Sequence, residues 1–371
     1  MSIVNAVFDQ IEKGMNGENW GLPMGLPKLE SVIDGVTRAT YSLIFGSTGS
    51  GKSSFALYSY IYKPIMDNID NPNFKVVYYS LEMSAETLFV KLLSIYLFEK
   101  YGKELSYKDI LSKRRGKRLS DEDFLIIKDS EAWLNRLEEI ITVYDRTLTA
   151  DRMYSHLLKE LEKHGRFEET ESRKIYIPNN KNQIILVVID HIALMRKDKG
   201  RTKKEEIDLA SNYLVTLRNR CGISPLIIMQ MNRTSSSMDR RNAGFQEPQL
   251  DDIKDSGGPS EDAEIVLALF YPHREKLTSY KEYKIKNGLE SIFRAVIVLK
   301  NRFGDTDVSI GNAFYGNVGV WRELPKGSEI NDYEPYLTLN YVKNKECETN
   351  NKEDENKEKD YEEKKTFQFI M

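Results

Sequence analysis

The chain has 371 residues, 40% hydrophobic and 30% charged, enough apolar mass for one large domain or two ordinary ones around a sizeable core. A net charge of −3 weighs against coating duplex DNA over a broad basic face, and leaves room for a nucleic acid gripped by a few local loops. Two cysteines exclude a disulfide framework or a Cys-based zinc centre, the four histidines show no ligand spacing, and no membrane span or signal peptide is written in, so a reducing cytoplasm is the expected compartment.

Residues 2–14 read as a short amphipathic helix with Ile3, Val4, Val7, Phe8 and Ile11 on one side. Nothing adjacent in sequence covers that face, so it either folds back on its own domain or docks on a neighbouring subunit. Residues 16–27 then supply Gly and Pro, a linker composition.

The stretch that organises the chain follows. An apolar run at 41–45 leads into Gly46-Ser47-Thr48-Gly49-Ser50-Gly51-Lys52-Ser53 and then into helical spacing from Ser54. Strand, glycine-rich loop, Lys-Ser and helix is the setting in which this spacing makes a phosphate-binding P-loop, so residues 46–54 are the candidate cofactor-binding set. Turns free of side chains let backbone N–H groups close around phosphate oxygens, and the helix N-terminus adds partial positive charge. Lys52 is expected to bridge the terminal phosphates and Ser53 to hold Mg²⁺. The cofactors expected are therefore ATP and Mg²⁺.

Residues 74–80 form a second buried-strand run, ending in Leu81-Glu82-Met83, and Ser84 can cap a helix over 85–98. An acid at the carboxyl end of a parallel strand lies on the ligand-binding edge of an α/β sheet, which makes Glu82 a candidate to orient or deprotonate the attacking water. Residues 103–165 are a mostly helical excursion, with Ser120 and Thr149 as caps, Gly165 as a stop and a strand near 140–144. Residues 166–183 are polar and suit a loop or hairpin. The run 184–190 is a central parallel strand ending in Asp190, a carboxylate placed for the Mg²⁺ water shell beside Ser53. The strand 225–230 ends in Gln230, whose amide can sense a γ-phosphate or satisfy backbone groups.

Two polar loops, 196–204 and 232–258, are expected to leave this same edge, and basic loops with Ser and Gly can track a sugar–phosphate backbone. Runs at 264–271 and 292–299 complete the expected strands. The second ends in Lys300-Asn301-Arg302, where two cations at alternate positions point the same way and suit an anion, including a phosphate presented by another subunit. Residues 344–365 are Lys, Glu, Asp and Asn with few apolar side chains, and a disordered tail is expected there, ending in an apolar tip.

Taken together, these motifs resemble the RecA-like motor domain of DnaB-type replicative helicases. The resemblance spans roughly residues 21–324. It rests on the P-loop, on Ser80-Leu81-Glu82-Met83-Ser84-Ala85-Glu86, on Leu119-Ser120-Asp121-Glu122-Asp123 and on Val188-Ile189-Asp190. Gln230-Met231-Asn232-Arg233, Asp252-Ile253-Lys254-Asp255-Ser256-Gly257 with Asp262-Ala263, and Lys300-Asn301-Arg302 complete it. It implies an α/β, RecA-like P-loop NTPase with a mainly parallel central sheet flanked by helices. Glu82 would activate water, Gln230 would report on the γ-phosphate, and Lys300 and Arg302 would act in trans, Arg302 as arginine finger. Arg233, Lys254, Asp255 and Gly257 would touch single-stranded DNA in a central channel. The family forms a hexameric ring that moves 5′ to 3′ along one strand, with primase, polymerase or a loader as candidate partners, and its helix ahead of the motor docks on the next subunit.

The implied organisation is a linker helix in 1–20, a motor domain in 21–343 with insertions near 166–183 and 276–291, and the tail 344–371. Departures are visible. Lys254 and Asp255 stand where Arg and Glu are usual, which keeps the charges but loses the guanidinium fork, and His191 and Ala193 replace the usual Tyr and Gln. The start just ahead of the motor region implies no amino-terminal primase-engaging domain, a compact form that fits a virus-encoded helicase working in an infected cell. Two other readings remain at this stage: a RecA-like recombinase ATPase, and an ATP-switched loader or mediator that grips DNA.

Overall fold

Nine of the apolar runs hydrogen-bond into one sheet. They are β1 (Ser42–Gly46), β2 (Phe74–Ser80), β3 (Ile141–Tyr144), β4 (Ile184–Asp190), β5 (Ser224–Gln230), β6 (Ile265–Phe270), β7 (Phe293–Asn301), β8 (Val308–Tyr315) and β9 (Val320–Glu323). The structure is a computed structural model describing residues 3–17, 19–169, 174–232, 246–253, 257–286 and 288–337. Across the sheet the order is β9-β8-β7-β6-β1-β5-β4-β2-β3. From β6 to β3 every neighbouring pair is parallel, whereas β7, β8 and β9 are added antiparallel. Every residue of β1 and β6 is buried, as expected of central strands whose two faces are both covered.

Register decides what shares an edge. Gly46 at the end of β1 lies opposite Gln230 on β5 and Leu269 on β6, and Ser80 at the end of β2 lies opposite Asp190 on β4. The carboxyl ends of β1, β5, β4 and β2 therefore fall within two residues of one another, and the loops that leave them share one edge. β7 runs the other way: its Ala295 faces Phe270 and its Asn301 faces Ile265, so it ends at the opposite edge.

The helices begin where side-chain acceptors can satisfy their first free N–H groups. Ser84, Thr149 and Thr202 accept from Thr87, Arg152 and Glu205 at the starts of Ala85–Tyr101, Ala150–His164 and Lys203–Cys221. In the first of these, Leu88, Leu92, Ile95 and Leu97 are buried in the core. The amino-terminal helix, α1 (Ile3–Met15), differs. Ile3 is 84% and Phe8 59% exposed, and Val4, Val7, Ile11 and Met15 are exposed with them. Of the two placements open for this face, folding back on its own domain is not the one seen.

One expectation needs correction, and others are sharpened. The strands do not finish near 299, because β8 and β9 extend the sheet. β8 was illegible because its Gly311 and Asn312 argue against a strand. Both are buried there, and a Cβ on Gly311 would sit 2.4 Å from the Tyr283 ring, so the glycine makes room for an aromatic. Gly165 does end its helix after His164, as expected, although not by a left-handed turn. Its φ is −179°, and the chain runs straight into the strand Gly165–Glu169, which pairs antiparallel with Lys174–Pro178; a side chain at 165 would meet Ile177 O at 2.5 Å. The segment 166–183 is thus a hairpin, and 276–291 carries a small one too, Ser279–Tyr280 with Tyr283–Lys284. The expected tail at 344–371 lies outside the described residues.

The antiparallel strands also underpin the P-loop. Trp321 on β9 is fully buried, edge-on to Phe55 at 5.1 Å and stacked on Phe314 at 4.5 Å. Trp321→Ala is expected to destabilise the chain by roughly 3–5 kcal/mol, read from urea unfolding followed by circular dichroism. A loss under about 1 kcal/mol would show that the aromatic layer is dispensable.

Candidate nucleotide site

The loop from Gly46 to Gly51 joins β1 to a helix that starts Lys52–Phe55, widens into a π-helical Ala56–Tyr62 and closes as Lys63–Asp67. Gly51 holds φ at 97°, and a Cβ there would lie 2.7 Å from Trp321 Cζ2, so glycine is required by both conformation and space. Gly46 is pinned likewise, with Leu269 O only 2.5 Å from where its Cβ would be. Lys52 Nζ donates to Gly46 O and Ser47 O, both at 3.0 Å, and so lies folded over its own loop. Burial lowers the Lys52 pKa to about 8; Asp190 and Glu82 oppose that shift, and Arg274 adds to it. Inside the loop Ser50 is fully buried and its Oγ has no hydrogen-bond partner among the described residues.

Asp190 is buried at the end of β4, where it accepts from Tyr78 Oη at 2.9 Å. Burial pushes its carboxyl above the usual range, while hydrogen bonds from Ser53 and Tyr78 pull it back and the charge of Glu82 pushes it further up. Ser53, Asp190 and Glu82 therefore stand together beside Lys52. Glu82 is exposed just past β2, where Leu81 N bonds Asp190 O at 2.8 Å and Ser80 Oγ bonds Met83 O at 2.6 Å, which fixes the turn that presents it. Gln230 Nε2 is 3.2 Å from His191 Nε2, so the amide at the end of β5 touches the residue that follows Asp190. Beyond it, Met231 N bonds Gly46 O at 3.1 Å and Met231 bridges Ile253, tying the base of the 246–253 segment to the P-loop strand.

Lys300 and Arg302 do not join this cluster. From the level of Gly46, opposite Leu269, to that of Asn301, opposite Ile265, is four residues of β6, or about 13 Å of strand rise. Lys300 Nζ donates to Ser260 O and Glu261 O at 2.9 and 2.8 Å, and Arg302 reaches Glu261 O at 3.3 Å and Glu264 at 3.7 Å. The two cations do point the same way, with the Arg302 side chain half exposed. Gly257 immediately precedes the short helix Gly258–Asp262 that supplies these carbonyls. Arg233, Lys254 and Asp255 lie outside the described residues. In the other basic loop, Arg201 is committed to Asp151 at 2.7 Å, whereas Lys197, Lys199 and Lys204 are exposed.

Two residues escaped the sequence reading, and a third, His191, stood there only as a departure from the family pattern. Arg274, on the turn Pro272–Glu275 after β6, brings Nη1 to 3.4 Å from a Cβ on Gly49. Arg294, on β7, is buried over the Tyr271 ring at 3.4 Å and reaches Gly49 O at 3.4 Å; burial pushes its guanidinium down to about 10. His191 contacts Gln230. Only His191 carried a signal, its place directly after a strand-end carboxylate.

The donor set fits a nucleoside triphosphate with a hard divalent cation. Lys52 and the unpartnered Ser50 hydroxyl answer phosphate oxygens, and Ser53 and Asp190 are oxygen donors of the kind Mg²⁺ takes. No cluster of three or more His, Cys, Asp or Glu is placed to hold a metal by itself among the described residues. A cation here would therefore complete its shell with phosphate and water, as Mg²⁺ does.

A P-loop at β1, an acid at β2, an aspartate at β4 and a glutamine at β5, all on one edge of a mainly parallel sheet, define a RecA-like ATPase fold. The chain belongs to the DnaB-like helicase C terminal domain family, which matches residues 21–319. It is 24% identical over 288 residues to the replicative DNA helicase DnaB of Helicobacter pylori (strain ATCC 700392 / 26695), covering 77% of this chain and 51% of that protein. It is 25% identical over 309 residues to DnaB of Geobacillus stearothermophilus, covering 81% and 57%. The chain thus spans about half the length of the relatives it matches. Among solved structures, an ATPase domain superposes with a TM-score of 0.65 at 20% identity, over 87% of this chain and 99% of that one. A DnaB-like replicative helicase solved for its interactions with primase gives 0.65 at 20% identity, over 87% and 68%.

Proposed function

We propose that this chain is the ATP-driven motor of a ring-shaped helicase that moves along single-stranded DNA and opens duplex during replication. The observation that carries the reading is the split between the two edges of the sheet. Lys52, Ser53, Glu82, Asp190 and Gln230 gather at one, and Lys300 and Arg302 sit at the other, out of reach of their own P-loop. A site whose charge-matching cations are displaced in this way is completed by a neighbouring copy, and a closed ring satisfies every copy at once.

In that arrangement the loop N–H groups and Lys52 hold the triphosphate, and Ser53 and Asp190 hold Mg²⁺. The cation, when bound, neutralises charge on the phosphates. Glu82 takes the proton of the attacking water, and the neighbour's Arg302, with Lys300 beside it, matches the charge that develops on the transferred phosphoryl group. Gln230 feels the change, and the bonds Met231 N–Gly46 O and Asn232 N–Asp252 O carry it toward the segment with Lys254, Asp255 and Gly257, which together with Arg233 contacts the DNA backbone. The exposed apolar face of α1 suits docking on the next subunit, as the linker element of residues 1–20 beside a motor domain of 21–343. Primase, polymerase or a loader would engage such a ring in a cytoplasm.

Electron microscopy with a nonhydrolysable ATP analogue and oligo-dT, paired with strand displacement on a forked duplex, tests the proposal. Closed rings and ATP-dependent displacement are expected. Helical filaments without displacement would put a recombinase in its place, and monomers with full ATPase activity would end the ring mechanism.

A further inference from the structure

A basic loop joins the short helix Tyr107–Ile110 to the helix Asp121–Asp129, and no part of the nucleotide site uses it. From Lys108 to Arg118 the chain places six Lys or Arg against one acid, Asp109, although its net charge is −3. All six cations are exposed. The loop is nevertheless held in shape. Ser112 N bonds Asp109 O at 3.0 Å, Lys113 N bonds Lys108 O at 2.8 Å and Lys117 N bonds Arg114 O at 3.1 Å, while Leu119 N bonds Ser112 Oγ at 3.0 Å and closes the base. Gly116 turns the tip with φ at 79°, and a Cβ there would meet nothing within 4 Å, so the tip stands clear.

Much of this charge is unspent. Buried Asp109 faces Arg114 at 3.4 Å and Lys117 at 3.1 Å, one carboxylate for two cations. Lys113 lies over the Tyr107 ring at 4.4 Å and donates to its hydroxyl. Lys108, Arg115 and Arg118 have no side-chain partner among the described residues. Like charges gathered this closely repel one another and weaken the compact state, so a fixed loop that carries them is suited to a polyanion.

We infer that this loop is a second nucleic-acid contact, a clamp on the phosphate backbone of duplex DNA. It is separate in the chain from the segments after β4 and β5 that would hold the single strand. The Tyr107 hydroxyl meets Thr87 in the first turn of the helix that leaves β2, so the loop springs from the nucleotide edge of the sheet. Duplex is the form that fits. It carries one negative charge per about 1.7 Å of axis, so several cations on one short loop can each find a phosphate. A single strand is gripped in good part by stacking its bases on aromatic rings. Residues 112–118 carry no ring, and that of Tyr107 is covered by Lys113. The inference rests on the reading of the chain as a DNA motor and adds a hold on DNA outside the tracked strand.

Fluorescence anisotropy of the full chain with a nonhydrolysable ATP analogue tests it on oligo-dT, a blunt duplex and polyglutamate, comparing the wild type with the double variant Arg115→Gln, Arg118→Gln. Both side chains are exposed and unpaired, so the variant folds, and circular dichroism checks it. Its duplex affinity is expected to fall about ten-fold or more, with a salt slope shallower by about 1.8, two contacts at roughly 0.9 each. Oligo-dT affinity and oligo-dT-stimulated ATPase activity stay at the wild-type level. Unchanged duplex affinity and slope overturn the clamp. An equal loss on oligo-dT overturns it too, because the loop would then lie on the tracked strand, as does wild-type binding of polyglutamate as tight as that of duplex of equal charge, the mark of an acidic protein partner. A wild type that binds oligo-dT but not duplex ends this inference alone; one that binds neither ends the proposed function with it.

Discussion

On the proposed mechanism, Lys52→Ala is expected to abolish nucleotide binding and strand displacement together while leaving the fold in place. The hydrogen bonds of Lys52 go to two carbonyls of its own loop, Gly46 O and Ser47 O, so its loss breaks no tie between elements of the sheet. What disappears is the half-buried ammonium at the mouth of the P-loop. Truncating one partner of a buried, hydrogen-bonded charge pair typically removes roughly 2–5 kcal/mol, which is about 30-fold to several thousand-fold in affinity. Titration calorimetry with a nonhydrolysable ATP analogue reads the loss, and circular dichroism checks the fold. Glu82→Gln is the contrast: the side chain keeps its shape but cannot accept a proton, so binding persists and turnover stops. Near wild-type affinity in Lys52→Ala would mean that backbone groups alone hold the phosphates. Wild-type turnover in Glu82→Gln would leave a nucleotide-switched binding protein as the better description.

The nucleotide edge was legible because its signals are local. A glycine loop between an apolar run and a helix, and carboxylates or an amide at the last residue of an apolar run, need only the rule that parallel strands end level with one another. The pairing of Gly46 with Gln230 and of Ser80 with Asp190 is that rule in coordinates. The opposite edge was half legible. Alternation along the strand places Lys300 and Arg302 on one side, but the distance between that side and the P-loop depends on β7 being antiparallel to β6, which no residue of 292–302 announces. Arg274 and Arg294 were illegible for a related reason. Each reaches Gly49 from a strand or turn more than 200 positions away, and nothing near either distinguishes it from an ordinary surface cation. β8 was hidden by Gly311, which makes room for Tyr283 of another hairpin, and by its neighbour Asn312.

The second large effect is expected at Arg302. Arg302→Ala should bind nucleotide as the wild type does and hydrolyse it about 10³–10⁵-fold more slowly when DNA is present, the range an arginine finger is worth. Within its own chain the side chain is half exposed; its bond to Glu261 O at 3.3 Å is a surface contact, and buried Glu264, 3.7 Å away, keeps its closer partner Arg218 without it. Its removal therefore leaves the fold and its own P-loop untouched. Mixing separates action in cis from action in trans. In a ring assembled from Arg302→Ala and Lys52→Ala subunits, a seam with an intact P-loop on one side and an intact Arg302 on the other is complete, although neither variant is active alone. Partial recovery of ATPase activity in the mixture is the expected result. No recovery, with mixed assembly verified by mass, would return Arg302 to a structural role beside Glu264, as would wild-type hydrolysis by Arg302→Ala on its own.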